Sequence, residues 1–150
     1  MKLRRFGIVT LACILMVGCL GMTARAECLS ENNTVHYDTT DEARREALSS
    51  NVIGRAMQTI NTTVSANMVG VADESFPLEA EEIVKLNCTY SPDSASIDFG
   101  LIAPDGTFYF INSTSGSIHQ SIKVGKRGDY TLAIRNNSSG DVSIAGYVYY

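Results

Sequence analysis

From residue 57 to the C-terminus, apolar and polar positions alternate in short runs separated by turn residues. A period of two sends successive side chains to opposite faces of a β-strand. Residues 83–90 put Val84, Leu86, Cys88 and Tyr90 on one face, and Lys85, Asn87 and Thr89 on the other. By the same rule 96–103 turns Ile97, Phe99 and Leu101 inward, and 117–124 turns in Ile118, Ile122 and Val124. Residues 129–135 turn in Tyr130, Leu132 and Ile134, and 141–150 turn in Val142, Ile144 and Val148. Runs at 57–67, 75–78 and 107–111 bring the set to about eight strands. Pro77 assigns its strand to a sheet edge, because proline has no N–H to give to a ladder. Pro104-Asp105-Gly106 is a turn in which Pro fixes one φ and Gly accepts a positive one.

Strands that are apolar on one face only must cover that face with a second sheet. The expectation is therefore all-β: a two-layer antiparallel β-sandwich over residues 55–150. No helical period of ten residues interrupts the strands, which excludes a βαβ architecture. Residues 27–54 read differently, as a polar N-terminal segment with one short helix. Thr39 and Glu42 fit a capping box, and Asp41 and Glu42 stand at pairing distance from Arg45 on such a helix, which would run to about Leu48.

Residues 1–26 have the three parts of a secretory signal peptide. Lys2, Arg4 and Arg5 are basic, 6–20 is apolar, and Ala24-Arg25-Ala26 is a small-residue cleavage site before Glu27. The apolar run falls short of the roughly 20 residues that span a bilayer. The expected product is secreted, extracellular or at the cell surface. A competing pattern is Met16-Val17-Gly18-Cys19, a loose lipobox, in which Cys19 would be lipidated and the protein held on a membrane.

Export changes the charge. The chain has 12 basic and 16 acidic residues; Lys2, Arg4, Arg5 and Arg25 lie within 1–26 with no acidic residue, so the remainder has 8 − 16 = −8. That balance argues against nucleic-acid partners, which are met by basic patches. It leaves Cys28 and Cys88, whose pairing export favours; the alternative is that Cys88, on the apolar parity of its strand, is a buried free thiol.

From Phe76 to Tyr150 the layout resembles the bacterial pre-peptidase C-terminal domain. The carrying residues are Phe76-Pro77-Leu78-Glu79-Ala80, Phe99-Gly100-Leu101-Ile102-Ala103-Pro104-Asp105-Gly106 and Gly128-Asp129-Tyr130-Thr131-Leu132. The whole is also similar to small secreted proteins of Gram-positive gut bacteria. The resemblance implies a jelly-roll-like sandwich, in a family whose domains are non-catalytic and serve secretion or surface binding. No cofactor is expected.

Candidate chemistry is sparse. Of the two histidines, His36 lies in the polar segment and His119 on the solvent parity of its strand. No nucleophile elbow, His-Glu-x-x-His or phosphate-cradling loop is present. Tyr109, Tyr147 and Tyr149 fall opposite the core parity and are candidate stacking platforms for a sugar. Arg127-Gly128-Asp129 sits where a hairpin tip is expected, the setting in which integrins read that tripeptide. Asp93, Asp98 and Asp105 lie in or near turns where calcium is conceivable, though without EF-hand spacing. The reading is a secreted binding module for a glycan or protein ligand. A small secreted enzyme and a structural or inhibitory secreted protein are the alternatives.

Overall fold

The computed structural model describes residues 26–28, 36–39, 44–48, 50–52 and 57–150. The signal-peptide reading and Cys19 lie outside these residues, apart from Ala26.

Eight strands carry the fold: β5 (Met57–Val64), β6 (Val69–Leu78), β7 (Ile83–Ser91), β8 (Ile97–Ile102), β9 (Thr107–Ser113), β10 (Ser117–Val124), β11 (Gly128–Asn136) and β12 (Val142–Tyr149). Four short strands precede them: β1 (Ala26–Cys28), β2 (His36–Thr39), β3 (Arg45–Leu48) and β4 (Ser50–Val52). The sheet orders are β1-β10-β7-β12-β5-β4 and β2-β9-β8-β11-β6-β3. The short strands thus lie at the four sheet edges.

The pairing follows from one turn. At Pro104–Gly106 the chain reverses: the Gly106 N–H donates to Ala103 O (2.9 Å), and Gly106 has φ 84°. From there β8 pairs β9, β7 pairs β10, β6 pairs β11 and β5 pairs β12, so that Phe99 faces Ile111, Leu86 faces Gln120, Phe76 faces Tyr130 and Ile60 faces Gly146. A single long ribbon is folded back on itself and rolled across two sheets, which is the jelly-roll arrangement.

Rolling the ribbon places the alternating apolar faces against each other. All sixteen residues that the alternation turns inward in 83–90, 96–103, 117–124, 129–135 and 141–150 are buried in one core, with Phe76, Leu78 and Ile60. Burial of a leucine- or phenylalanine-sized side chain stabilises by about 1.5–3 kcal/mol, so this core dominates the fold. Pro77 stands on a stretch of β6 that pairs with β11, while β3 pairs only with Val69–Ala72, so the missing N–H faces no described strand.

Two expectations are corrected here. The helix reaching Leu48 is not formed: Arg45–Leu48 is a strand, parallel to β6. Its capping signal is worth about 1 kcal/mol, less than burying Leu48, which is 1% exposed. The strand expected at 75–78 begins at Val69, and the one expected at 57–67 ends at Val64.

The second sheet buries residues on both faces. Every position of β8 is buried. On the outer face Val69, Ile102, Phe108 and Ala133 form a small second cluster, with Val71 and Phe110 packed against it. The Arg135 guanidinium lies over Phe110 (4.5 Å to the ring centroid) and Phe108 (5.6 Å). Its Nε donates to Asp98 (2.8 Å) and its Nη1 to Asp38 of β2 (2.6 Å), fastening the N-terminal segment to this face. The same contacts raise the Arg135 pKa, against the burial that opposes charge.

Candidate functional site

The outer face of the first sheet presents the polar parity of β10, β7, β12 and β5. Register sets who stands beside whom. His119, Asn87, Tyr147 and Thr59 form one row across the four strands, and Ser121, Lys85, Tyr149 and Met57 form the next. Directly opposed residues in an antiparallel pair sit about 5 Å apart, so these two rows make a contiguous patch.

Local interactions hold the aromatic half of the patch in place. Asn87 Nδ2 donates to the Tyr147 hydroxyl at 2.8 Å, across strands. Tyr147 and Tyr149 meet edge to face, with ring centroids 5.0 Å apart, a favoured geometry for two aromatic quadrupoles. Gly146 lets β12 close on β7: a Cβ there would lie 2.3 Å from Asn87 O and 2.5 Å from the Cys88 Cα. Tyr149 stays 40% exposed, and His119 is exposed.

Two shallow cavities adjoin the patch and share His119 and Gln120. One, of about 220 Å³, is lined by Lys85, Leu86, Asn87, His119, Gln120, Ser121 and Tyr149. The other, of about 390 Å³, continues round the sheet edge past Asn112, Thr114, Ser115 and Ser117. Its loop is braced from beneath, where the Ser115 N–H donates to the Tyr90 hydroxyl (2.9 Å). Hydroxyls, amides, one imidazole and one ammonium line a strip that is open to solvent, and no carboxylate lines either cavity among the described residues.

Of the three tyrosines expected to form a platform, the structure brings Tyr147 and Tyr149 together and removes Tyr109. Tyr109 is 5% exposed and belongs to the main core. The run Thr107–Ser113 is apolar at both parities, and the outer cluster takes Phe108 and Phe110 while the interior takes Tyr109 and Ile111. Alternation alone cannot choose between such faces.

The Cys28–Cys88 pairing is also corrected: Cys88 is a buried free thiol. Cys28 faces Ile122, which faces Val84, and Cys88 lies four residues further along β7. That is about 13 Å along the strand and about 10 Å across it, where a disulfide requires Cα atoms within about 7 Å. Burial pushes the Cys88 thiol up to about 11, opposed by backbone hydrogen bonding at Tyr147 and Asn87.

Arg127-Gly128-Asp129 does not form a hairpin tip. It spans the crossing from β10 in one sheet to β11 in the other, with Gly128 facing Leu78 and Asp129 facing Pro77 in the ladder. The glycine is there for Pro104, whose Cγ would lie 2.4 Å from a Cβ at 128. Arg127 meets Glu79 at 3.3 Å. Asp93, Asp98 and Asp105 are separate: Asp93 touches the Gly116 turn, Asp105 accepts the Thr107 N–H (3.0 Å), and Asp98 is engaged by Arg135. His36 pairs with Phe110 at the opposite sheet, away from His119.

Sequence reasoning missed Lys85, Asn87 and Gln120 as site residues. The signal was present, since Lys85 and Asn87 hold the solvent parity of 83–90, but only the register reveals that they stand beside Tyr147, Tyr149 and His119. Comparison with known protein families, with curated proteins and with solved structures finds no match to this chain.

Proposed function

We propose that this chain is a secreted, non-catalytic binding module that holds a glycan on the outer face of its first sheet. The observation that carries the reading is the Tyr147–Tyr149 pair, set beside Asn87 and His119 and continuous with two shallow polar cavities. A sugar ring offers apolar C–H faces and a rim of hydroxyls. An exposed tyrosine ring covers the first, and amide, hydroxyl and imidazole groups answer the second. The strip's openness suits a chain laid along it better than a small molecule enclosed in it. Residues 1–26 supply the export signal, and the jelly-roll resemblance fits a module that works at a surface.

Affinity in such a site comes from a few anchors rather than from area. The test is a glycan array probed with the full chain and with the Tyr147→Ala/Tyr149→Ala variant. The wild-type protein should retain a glycan that the variant does not, with thermal midpoints within a few degrees of each other. Retention of the same glycan by both proteins would refute the platform.

A further inference from the structure

Acidic residues are distributed unevenly over this fold. The chain carries 16 of them, yet none falls within β5, β7, β10 or β12, the four long strands that make the candidate face. The second sheet has Asp73 and Glu74 in β6, Asp98 in β8 and Asp129 in β11. The same four strands of the first sheet carry Lys85, His119 and Lys123. A protein whose exported part has a net charge of −8 thus keeps carboxylates out of the four long strands of this face, and the Glu81 carboxylate that reaches it from the β6–β7 loop is paired with Lys123.

The cations differ in what they meet. Lys123 pairs with Glu81, Arg127 with Glu79, and Arg135 with Asp38 and Asp98. Lys85 is exposed and, among the described residues, makes no ion pair. It stands between Ser121 and Tyr149 in its row, one strand and one row from His119, and it lines the cavity that Tyr149 borders. A solvated ammonium flanked by an aromatic ring and hydrogen-bond donors is the arrangement that would meet a carboxylate on a sugar stacked on that ring.

We infer that the face takes a carboxylate-bearing polysaccharide of the uronate type, with Lys85 meeting the sugar carboxylate and Tyr149 its ring. The inference rests on the glycan reading above and narrows it from glycans at large to acidic ones. A polymer fits better than a single sugar, because the strip runs from Tyr149 through His119 and Gln120 to the cavity at the sheet edge. Successive rings could then occupy successive parts of it. The negative charge elsewhere is screened beyond about 8 Å at physiological salt, so the local balance at the face governs contact.

The experiment is affinity electrophoresis of the full chain in gels containing polygalacturonate, alginate or hyaluronate, each run beside its carboxyl-reduced counterpart. At least one acidic polymer should retard the protein about five-fold more strongly than its reduced form, the scale of one exposed charge contact. Salt should weaken that difference. Lys85→Gln should bring the acidic polymer down to the level of the reduced one, whereas Tyr149→Ala should weaken both. Equal retardation by acidic and reduced forms, unchanged in Lys85→Gln, would overturn the acidic preference and leave the glycan platform standing. No retardation by any of the six polymers would also overturn it, and the array with neutral glycans then decides the platform by itself. Both variants are at exposed positions, and an unchanged melting curve verifies that each is folded.

Discussion

Arg135→Met tests whether the outer face of the second sheet is held by a buried charge pair. The methionine keeps an apolar stem over Phe108 and Phe110 and removes the guanidinium. Asp98, whose side chain is 3% exposed, would keep Asn112 Nδ2 (2.6 Å) and Asn137 Nδ2 (2.8 Å) but lose its countercharge. Removing one partner of a buried ion pair costs about 3–5 kcal/mol, because the other charge remains desolvated. The Asp38 contact adds little, since Asp38 is 49% exposed and surface pairs contribute under about 1 kcal/mol. The variant should therefore melt about 10–20 °C below wild type, with a matching fall in the urea midpoint, whereas Asp38→Asn should scarcely move either. Asp98→Asn/Arg135→Met removes the orphaned charge and should recover part of the loss, giving a coupling of about 1–3 kcal/mol in the double-mutant cycle. A loss under 1 kcal/mol for Arg135→Met would mean that water reaches Asp98, and the clasp would then be an ordinary surface bridge.

Leu132→Ala should cost about 2–5 kcal/mol by leaving a cavity in a fully buried site, read by urea denaturation. Tyr109→Ala should cost about 3–5 kcal/mol, while Tyr149→Ala, at a 40% exposed position, should change stability by under about 1 kcal/mol. The buried Cys88 thiol should resist a thiol reagent at pH 8 until the protein unfolds. Its pKa in the fold, about 11, stands above the ordinary 9.0, so the folded state holds the proton where the unfolded state has released it. That contribution is complete below about pH 9 and is lost as pH rises through 11, at up to about 1.4 kcal/mol per unit. Cys88→Ala should lack this alkaline slope in denaturation curves taken between pH 8 and 11. Gly100→Ala should fail to yield folded protein by circular dichroism, because the new Cβ would lie 1.9 Å from Tyr109 O on the paired strand.

The alternation from Ile83 onward was sufficient for the core, because each of those strands except β9 has a single face that is consistently apolar. It was insufficient where both faces are apolar. Thr107–Ser113 offers Phe108 and Phe110 on one side and Tyr109 and Ile111 on the other, and only the second cluster over Ile102 and Ala133 decides between them. Val69 and Val71 of β6 belong to the same outer cluster, which explains why the first half of that strand shows no clean one-faced pattern. The segment at Arg45–Leu48 failed for another reason. Its helix signals are local, and the parallel pairing with β6 that overrides them joins residues about 24 apart in sequence, as Leu48 with Ala72.

The candidate site stands on the same distinction between parity and register. Parity gave Lys85 and Asn87 as exposed and Tyr147 and Tyr149 as outward, strand by strand. Their proximity depends on how β7 is set against β12, and that setting follows from the Pro104–Gly106 turn and from how the ribbon is rolled. A shift of one residue between β7 and β12 would send every tyrosine of the pair into the core. If β7 turned over instead, the same slip would bury Lys85, which no described carboxylate neutralises. The apolar faces therefore fix the geometry of the polar one. Val84, Leu86, Ile144 and Val148 have their low-energy positions only in the observed register, and in that register the tyrosines, the amide and the lysine are brought to one place. Selection for a stable core suffices to hold the patch in shape, but it does not account for four adjacent strands without an acidic residue in so acidic a chain. The low β-propensity of Asp and Glu favours their absence from any strand, but the second sheet carries four in β6, β8 and β11, and the proposed acidic glycan is a reason for that difference between the two sheets.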